Sequence, residues 1–300
     1  FNPTNFGYFG GGEPSNKSIV DRIDYSNDTA NAVTKGPLSA ARQACQATGS
    51  SFFGYFGGGA PSKSTVDRID YSNDTATASA RGPLSAARYF MGATGNQNFG
   101  YFGGGYVYPS PTNARSTVDR IDYSNDTPNT STKGPLSLAR WGVTATGNTS
   151  FGYFGGGTPT SGPSAKSTVD RIDYGNDTVE AVEKGSLSHT KIAMAATGNA
   201  DFGYFGGGEP SPVSTVSRID YSNDTATASP KGPLSVSKTA MAATGNKNFG
   251  YFAGGNPGPV STIDRLDYAN DDVTASPKGE LSINRHTMGA CSAGANALPQ

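Results

Sequence analysis

Six cationic residues recur at equivalent places in this sequence, each just before a short apolar stretch. They are Arg42, Arg88, Arg140, Lys191, Lys238 and Arg285. If these side chains converge on the mouth of a channel, they form a basic ring that can bind an anion, an acidic peptide or an acidic sugar. The alternative is that each cation pairs with a carboxylate or carbonyl group of a neighbouring repeat and binds no ligand.

The residues next to these cations differ between repeats, which makes them candidates for specificity. Directly after the cations come Gln43, Tyr89, Trp141, Ile192, Thr239 and His286. The third repeat also has a long loop with Tyr106 and Tyr108. Exposed aromatic residues on loops suit contact with protein or sugar, so we expect Tyr89, Trp141, Tyr106 and Tyr108 to contact a ligand. A tolerated loop insertion is the alternative.

Charged residues also recur in the segment Val-Asp-Arg-Ile-Asp-Tyr. Its arginines are Arg22, Arg68, Arg120, Arg171, Arg218 and Arg265, and its first aspartates are Asp21, Asp67, Asp119, Asp170 and Asp264, with Ser217 interrupting the series. Because buried charges need partners, we expect ion pairs between repeats. A catalytic carboxylate pair is the alternative, although six copies of a catalytic site would be unusual.

The turn Ser-Asn-Asp-Thr that follows is rich in oxygen ligands. Asp24, Asn27 and Asp28 could bind calcium if the turn curled around an ion, but their spacing differs from that of calcium-binding loops. Asn and Asp also favour hairpin turns, which is the preferred interpretation.

The composition argues against metal binding, catalysis, nucleic-acid binding and membrane insertion. His189 and His286 are the only histidines and no cluster has metal-ligand spacing, so we predict no metal, no cofactor and no enzymatic activity. The net charge of −1 argues against nucleic-acid binding, and no apolar run is long enough for membrane insertion. Because the sequence begins at Phe1 inside the repeat pattern, we expect it to be part of a larger polypeptide or assembly.

The repeat itself predicts the elements that position these residues. The segment Phe-Gly-Tyr-Phe occurs six times at intervals of 46 to 52 residues, and runs of glycine follow it. Each repeat indicates four strands: an apolar strand, the aromatic strand, the Val-Asp-Arg-Ile-Asp-Tyr strand and an outer strand. The glycines after the aromatic strand allow a sharp turn and close packing between repeats.

The sequence resembles the kelch repeat family in three features. These are the aromatic strand that ends in Gly-Gly, the Tyr-Asp region of the third strand, and the Pro…Arg segment at 36–42. The outer-strand Trp typical of that family is absent. The resemblance implies an all-β, six-bladed β-propeller in one domain, 1–300. We place the blade cores near 6–40, 41–86, 87–138, 139–189, 190–236 and 237–282. A closing strand at 285–294 then joins the N-terminal strands as the innermost strand of their blade.

The segment at 214–235 is similar to repeat arrays of marine bacteriophage virion and fibre-like proteins. That resemblance implies a non-enzymatic structural or adhesion domain on a virion surface or otherwise extracellular, which contacts another protein or a cell-surface glycan. The alternative function is a lectin-like or acidic-peptide-binding propeller that uses the basic ring.

Overall fold

The computed structural model describes residues 2–61, 63–107, 113–159 and 164–294. Over these residues, 24 strands form six antiparallel sheets of four strands each. The innermost strands of neighbouring sheets contact one another in a closed circle around a central axis. The predicted all-β, six-bladed propeller with four-stranded blades is therefore confirmed.

The strands of each blade follow one another from the axis to the rim. Blade 1 contains β24 (Gly289–Ser292), β1 (Phe6–Gly10), β2 (Val20–Asp24) and β3 (Val33–Lys35). Blade 2 contains β4 (Gln46–Gly49), β5 (Phe53–Gly57), β6 (Val66–Asp70) and β7 (Ser79–Arg81). Blade 3 contains β8 (Gly92–Gly95), β9 (Phe99–Gly103), β10 (Val118–Asp122) and β11 (Ser131–Lys133).

The remaining three blades repeat this order. Blade 4 contains β12 (Thr144–Gly147), β13 (Phe151–Gly155), β14 (Val169–Asp173) and β15 (Val182–Glu183). Blade 5 contains β16 (Ala195–Gly198), β17 (Phe202–Gly206), β18 (Val216–Asp220) and β19 (Ser229–Lys231). Blade 6 contains β20 (Ala242–Gly245), β21 (Phe249–Ala253), β22 (Ile263–Asp267) and β23 (Ser276–Pro277).

Blade 1 closes the ring by combining the two ends of the chain. Strand β24 pairs antiparallel with β1, and Tyr8 lies opposite Cys291 in this pairing. The predicted closure by the C-terminal inner strand is therefore confirmed. Closure removes the two open sheet edges that a linear array of blades would expose.

The aromatic strand packs the blades against each other because its residues alternate between two faces. Tyr8 and Phe9 are fully buried, and the Tyr8 ring stacks on Tyr71 of blade 2 with centroids 5.0 Å apart. Gly10 lies against the ring of Phe56, to which a β-carbon at position 10 would come within 2.6 Å. Glycine at this position therefore lets the next blade approach closely.

The glycines that follow the aromatic strand serve a second purpose. Gly11 and Gly12 have φ of +75° and +111°, which L side chains rarely adopt. A β-carbon on either would also lie under 3 Å from a carbonyl oxygen. The backbone turns here from the second strand toward the third.

Short 3₁₀ turns replace simple hairpin turns after most of the third strands. They span Tyr25–Asn27, Tyr71–Asn73, Tyr174–Asn176, Tyr221–Asn223 and Tyr268–Asn270, and a further one lies at Pro3–Asn5. Asp24 caps the first of these third-strand turns by accepting a hydrogen bond from the Ser26 amide at 2.8 Å.

Candidate functional site

The six cations lie at the same end of the propeller as the glycine turns, but they do not converge on the axis. Arg42, for example, is fully buried and points into its own blade, where it donates to Thr65 O and Asp67 Oδ2, each at 3.0 Å. Arg88, Arg140, Lys238 and Arg285 likewise pair with Asp119, Asp170, Asp264 and Asp21. Lys191 is also buried.

This arrangement corrects the expectation of a basic ring open to ligand. Five of the six cations form internal ion pairs, as the alternative interpretation held in part, but the partner carboxylate belongs to the same blade rather than to a neighbouring one. A buried arginine already neutralised in this way has little capacity left for an external anion.

The second set of charges joins neighbouring blades. Asp74 of blade 2 accepts hydrogen bonds from two residues of blade 1, Arg22 at 2.7 Å and the Tyr8 hydroxyl at 3.0 Å, and Lys35 lies 3.3 Å away. The Arg22 guanidinium also lies over the Phe6 ring, 4.2 Å from its centroid. Equivalent interactions, here called the inter-blade latch, centre on Asp28, Asp126, Asp177, Asp224 and Asp271.

The arginines of the latch form the expected ion pairs between repeats, and the latch uses one of the residues that the calcium alternative requires. Asp28, one of the three candidate ligands, is held by Arg265 and Tyr251. Over the described ranges, no group of three or more His, Cys, Asp or Glu residues is arranged to hold a metal ion.

Hydrogen bonds between backbone groups close the channel at the glycine-turn end. One residue of each blade takes part. Its backbone amide donates a hydrogen bond of 2.7 to 3.2 Å to the carbonyl oxygen of the equivalent residue in the preceding blade, and the six bonds form a complete circle. This backbone ring consists of Ala44, Phe90, Gly142, Ala193, Ala240 and Thr287, all with positive φ between 51° and 68°.

The channel beneath the backbone ring is too narrow for a substrate. The apolar layer below it is buried and comprises Cys45, Met91, Val143, Met194, Met241 and Met288. Two axial cavities among the inner strands have volumes of about 40 and 30 Å³, and each suits a few water molecules. Ligand contact at this end must therefore take place on the surface around the backbone ring.

That surface carries the varied residues predicted from the sequence, here called the variable ring. Each member forms an isolated antiparallel bridge with the loop that follows the glycine turn: His286 with Glu13, Gln43 with Ala60, Tyr89 with Tyr106, Trp141 with Thr158, Ile192 with Glu209, and Thr239 with Asn256. The framework of the variable ring is thus repeated, while its side chains differ.

Four aromatic residues gather on one sector of the variable ring. Tyr89 contacts Tyr106 and Phe90 with ring centroids 5.2 and 5.4 Å apart, and Trp141 contacts Phe90 and Tyr106 at 5.7 and 6.1 Å. All four residues are half-buried. We call this cluster the aromatic patch; Tyr108, the other loop candidate, lies outside the described residues.

Phe90 was not predicted from the sequence as a member of the patch. The corresponding residues in the other blades are Ala44, Gly142, Ala193, Ala240 and Thr287, so one large side chain among small ones was the available signal. Phe90 bridges Tyr89 and Trp141, which belong to different blades.

Several polar atoms of the variable ring have no partner. Gln43 Oε1, Trp141 Nε1 and His286 Nδ1 are buried and make no hydrogen bond within the described part of the chain. His286 Nε2 lies 3.3 Å from Glu13, and burial lowers the pKa of His286 although Glu13 opposes the shift. Unpaired polar groups are costly in a folded protein, and three of them belong to the variable ring.

Comparison with known proteins supports the fold. No protein-family model matches the chain, and no curated protein matches it. Among solved structures, it is similar to that described as "Structure of YjhT", with a TM-score of 0.70 over 85% of this chain and 88% of that chain. Sequence identity is 13%, so the similarity concerns the fold alone. Over the described residues, no helix is long and apolar enough to cross a membrane.

Proposed function

We propose that this chain is a non-enzymatic adhesion domain that binds a cell-surface glycan through the aromatic patch. The observation that supports this most directly is the gathering of Tyr89, Phe90, Tyr106 and Trp141 on one sector of a framework that is otherwise repeated. Partly exposed tyrosine and tryptophan rings combine an apolar face with a polar edge, which suits a sugar ring.

The position of the patch also sets the stoichiometry. The patch occurs on one sector, so the domain binds one glycan through it, whereas a site built from the repeated framework would occur six times. The unpaired Trp141 Nε1 and Gln43 Oε1 nearby are a donor and an acceptor of the kinds that bind sugar hydroxyls, after a small side-chain movement.

The location that fits this function is a particle surface. The similarity of the repeats to marine bacteriophage virion proteins supports it, and a rigid closed ring of blades suits a module that displays one contact surface. Quantitative mass spectrometry on purified particles and on the soluble fraction of the source tests the location. Enrichment with particles at fixed stoichiometry is expected, and presence only in the soluble fraction contradicts it.

Binding is tested on a glycan array with the wild-type chain and the variant Trp141→Ala. We expect the wild type to bind a limited set of glycans and the variant to bind at least about tenfold more weakly. His286→Ala is the matched control, because it alters the variable ring on the opposite side of the axis. Equal binding by wild type and Trp141→Ala, or no glycan binding by the wild type, overturns the proposal.

A further inference from the structure

Five of the six blades contain the same buried arrangement of a cation, an aspartate and a serine. In blade 6, Lys238 Nζ lies 3.2 Å from Asp264 Oδ2 and donates to Thr262 Oγ1 at 2.7 Å, while Ser235 Oγ donates to Asp264 Oδ1 at 2.6 Å. The cation and the aspartate are almost completely buried. The carboxylate thus neutralises the cation and also accepts from the serine.

Blade 5 keeps the cation and the serine but lacks the carboxylate. Ser217 occupies the position of the aspartate and is 2% exposed, and Lys191 is 5% exposed. Lys191 Nζ donates to Thr215 Oγ1, the counterpart of Thr262. Among the described residues, no carboxylate forms an ion pair with Lys191.

The neighbouring hydroxyls remain arranged around the missing group. Ser188 Oγ lies 2.6 Å from Ser217 Oγ and 3.0 Å from His189 Nδ1. Ser188 is half-buried and His189 is exposed, so this chain of hydrogen bonds leads from the surface to the buried Ser217. If His189 donates to Ser188 and Ser188 donates to Ser217, the Ser217 hydroxyl is free to donate to a group beside Lys191.

We propose that blade 5 binds a small monovalent anion of halide size between Lys191 Nζ and the Ser217 hydroxyl. The anion takes the place of the aspartate carboxylate that each of the other five blades provides. A buried ammonium has three N–H donors, and Thr215 accepts one of them, so donors remain for the anion. The size is limited because replacing aspartate by serine exchanges a carboxylate group for a smaller hydroxyl group, which frees less room than a whole carboxylate occupies.

Blade 5 therefore has a ligand site, and the other blades serve as internal controls. The site is independent of the aromatic patch, which involves blades 3 and 4 at the surface. Its occupant neutralises a charge that is otherwise costly to bury, so anion binding stabilises the folded protein.

Crystals grown in sodium bromide test the proposal through anomalous scattering. We expect a bromide peak within hydrogen-bonding distance of Lys191 Nζ and none beside the other five cations. In solution, the melting temperature of the wild type is expected to rise with bromide concentration more than that of Ser217→Asp, in which the restored carboxylate fills the site. A second variant, Asp264→Ser, is expected to create an equivalent bromide site beside Lys238.

Each outcome decides the question. A bromide peak at Lys191 that is absent from Ser217→Asp, together with the difference in melting behaviour, supports the proposal. The absence of a peak overturns it. A peak without any bromide-dependent difference in melting temperature identifies an adventitious ion only and also overturns it. If Ser217→Asp does not fold, the new site in Asp264→Ser provides the comparison.

Discussion

The buried lysine of blade 5 makes a specific prediction about stability and pH. Burial lowers the pKa of Lys191 from 10.5 to about 8 in the folded protein, whereas the unfolded chain has the ordinary value. Between these values the unfolded chain binds more protons than the folded one, so the free energy of unfolding rises with pH. Below pH 8 the lysine is charged in both states, and the folded state carries the full cost of burying it.

The structure sets the size of this effect. The difference between the two pKa values corresponds to about 3 kcal/mol, of which about 2 kcal/mol is recovered between about pH 7 and about pH 9.5. The window ends there because tyrosines of the unfolded chain ionise near pH 10, while burial raises the pKa of tyrosines such as Tyr25 and Tyr268 in the folded state. That difference acts in the opposite direction at higher pH.

The comparison of wild type with Ser217→Asp isolates the contribution of Lys191. Both proteins are unfolded in urea in halide-free buffer across this pH window, with Trp141 fluorescence as the signal. We expect Ser217→Asp to be the more stable at pH 7 and its advantage to shrink by as much as about 2 kcal/mol toward pH 9.5. Because burial also lowers the pKa of Lys238, only the difference between the two proteins is informative. An advantage that does not change with pH would refute the reasoning.

Three further predictions concern the framework. Gly36→Ala places a β-carbon 1.9 Å from a carbonyl oxygen of the next blade and should lower the free energy of unfolding by about 3 kcal/mol or more. Gly175→Ala is the control, because its β-carbon meets only one side-chain oxygen, at 3.3 Å, and it should change the free energy of unfolding by less than about 0.5 kcal/mol. Asp271→Asn removes the charge at one inter-blade latch and should cost about 2 to 3 kcal/mol in urea unfolding at pH 7; an unchanged midpoint would contradict the role of the latch. Burial raises the pKa of Cys45, and that of Cys291 to about 12, so both thiols should react with a disulfide reagent only after unfolding, and rapid labelling of the native protein would show that they are accessible.

The sequence was sufficient for the fold because its repeats are long, aromatic and nearly identical. The Phe-Gly-Tyr-Phe segment predicts the second strand of each blade, and the phase of the chain ends predicts the shared blade 1. The direction of Arg42 and its counterparts could not be predicted, because a residue before an inner strand can face either the axis or the blade. The aspartates equivalent to Asp21 were the relevant information, because they are the partners of these cations. Their series is interrupted at Ser217, in the blade that carries Lys191. The aromatic patch was found in part, since Phe90 becomes its centre only when neighbouring blades are assembled.

The inter-blade latch also bears on how the chain assembles. Its aspartate, arginine and tyrosine are the same at all six junctions, so no junction is chemically distinguishable from another by these contacts. The latch therefore does not determine the order of the blades, which the covalent chain imposes. A chain that refolds at high concentration has matching surfaces on every neighbouring chain, which gives it a low-energy route to exchange blades and form intertwined oligomers.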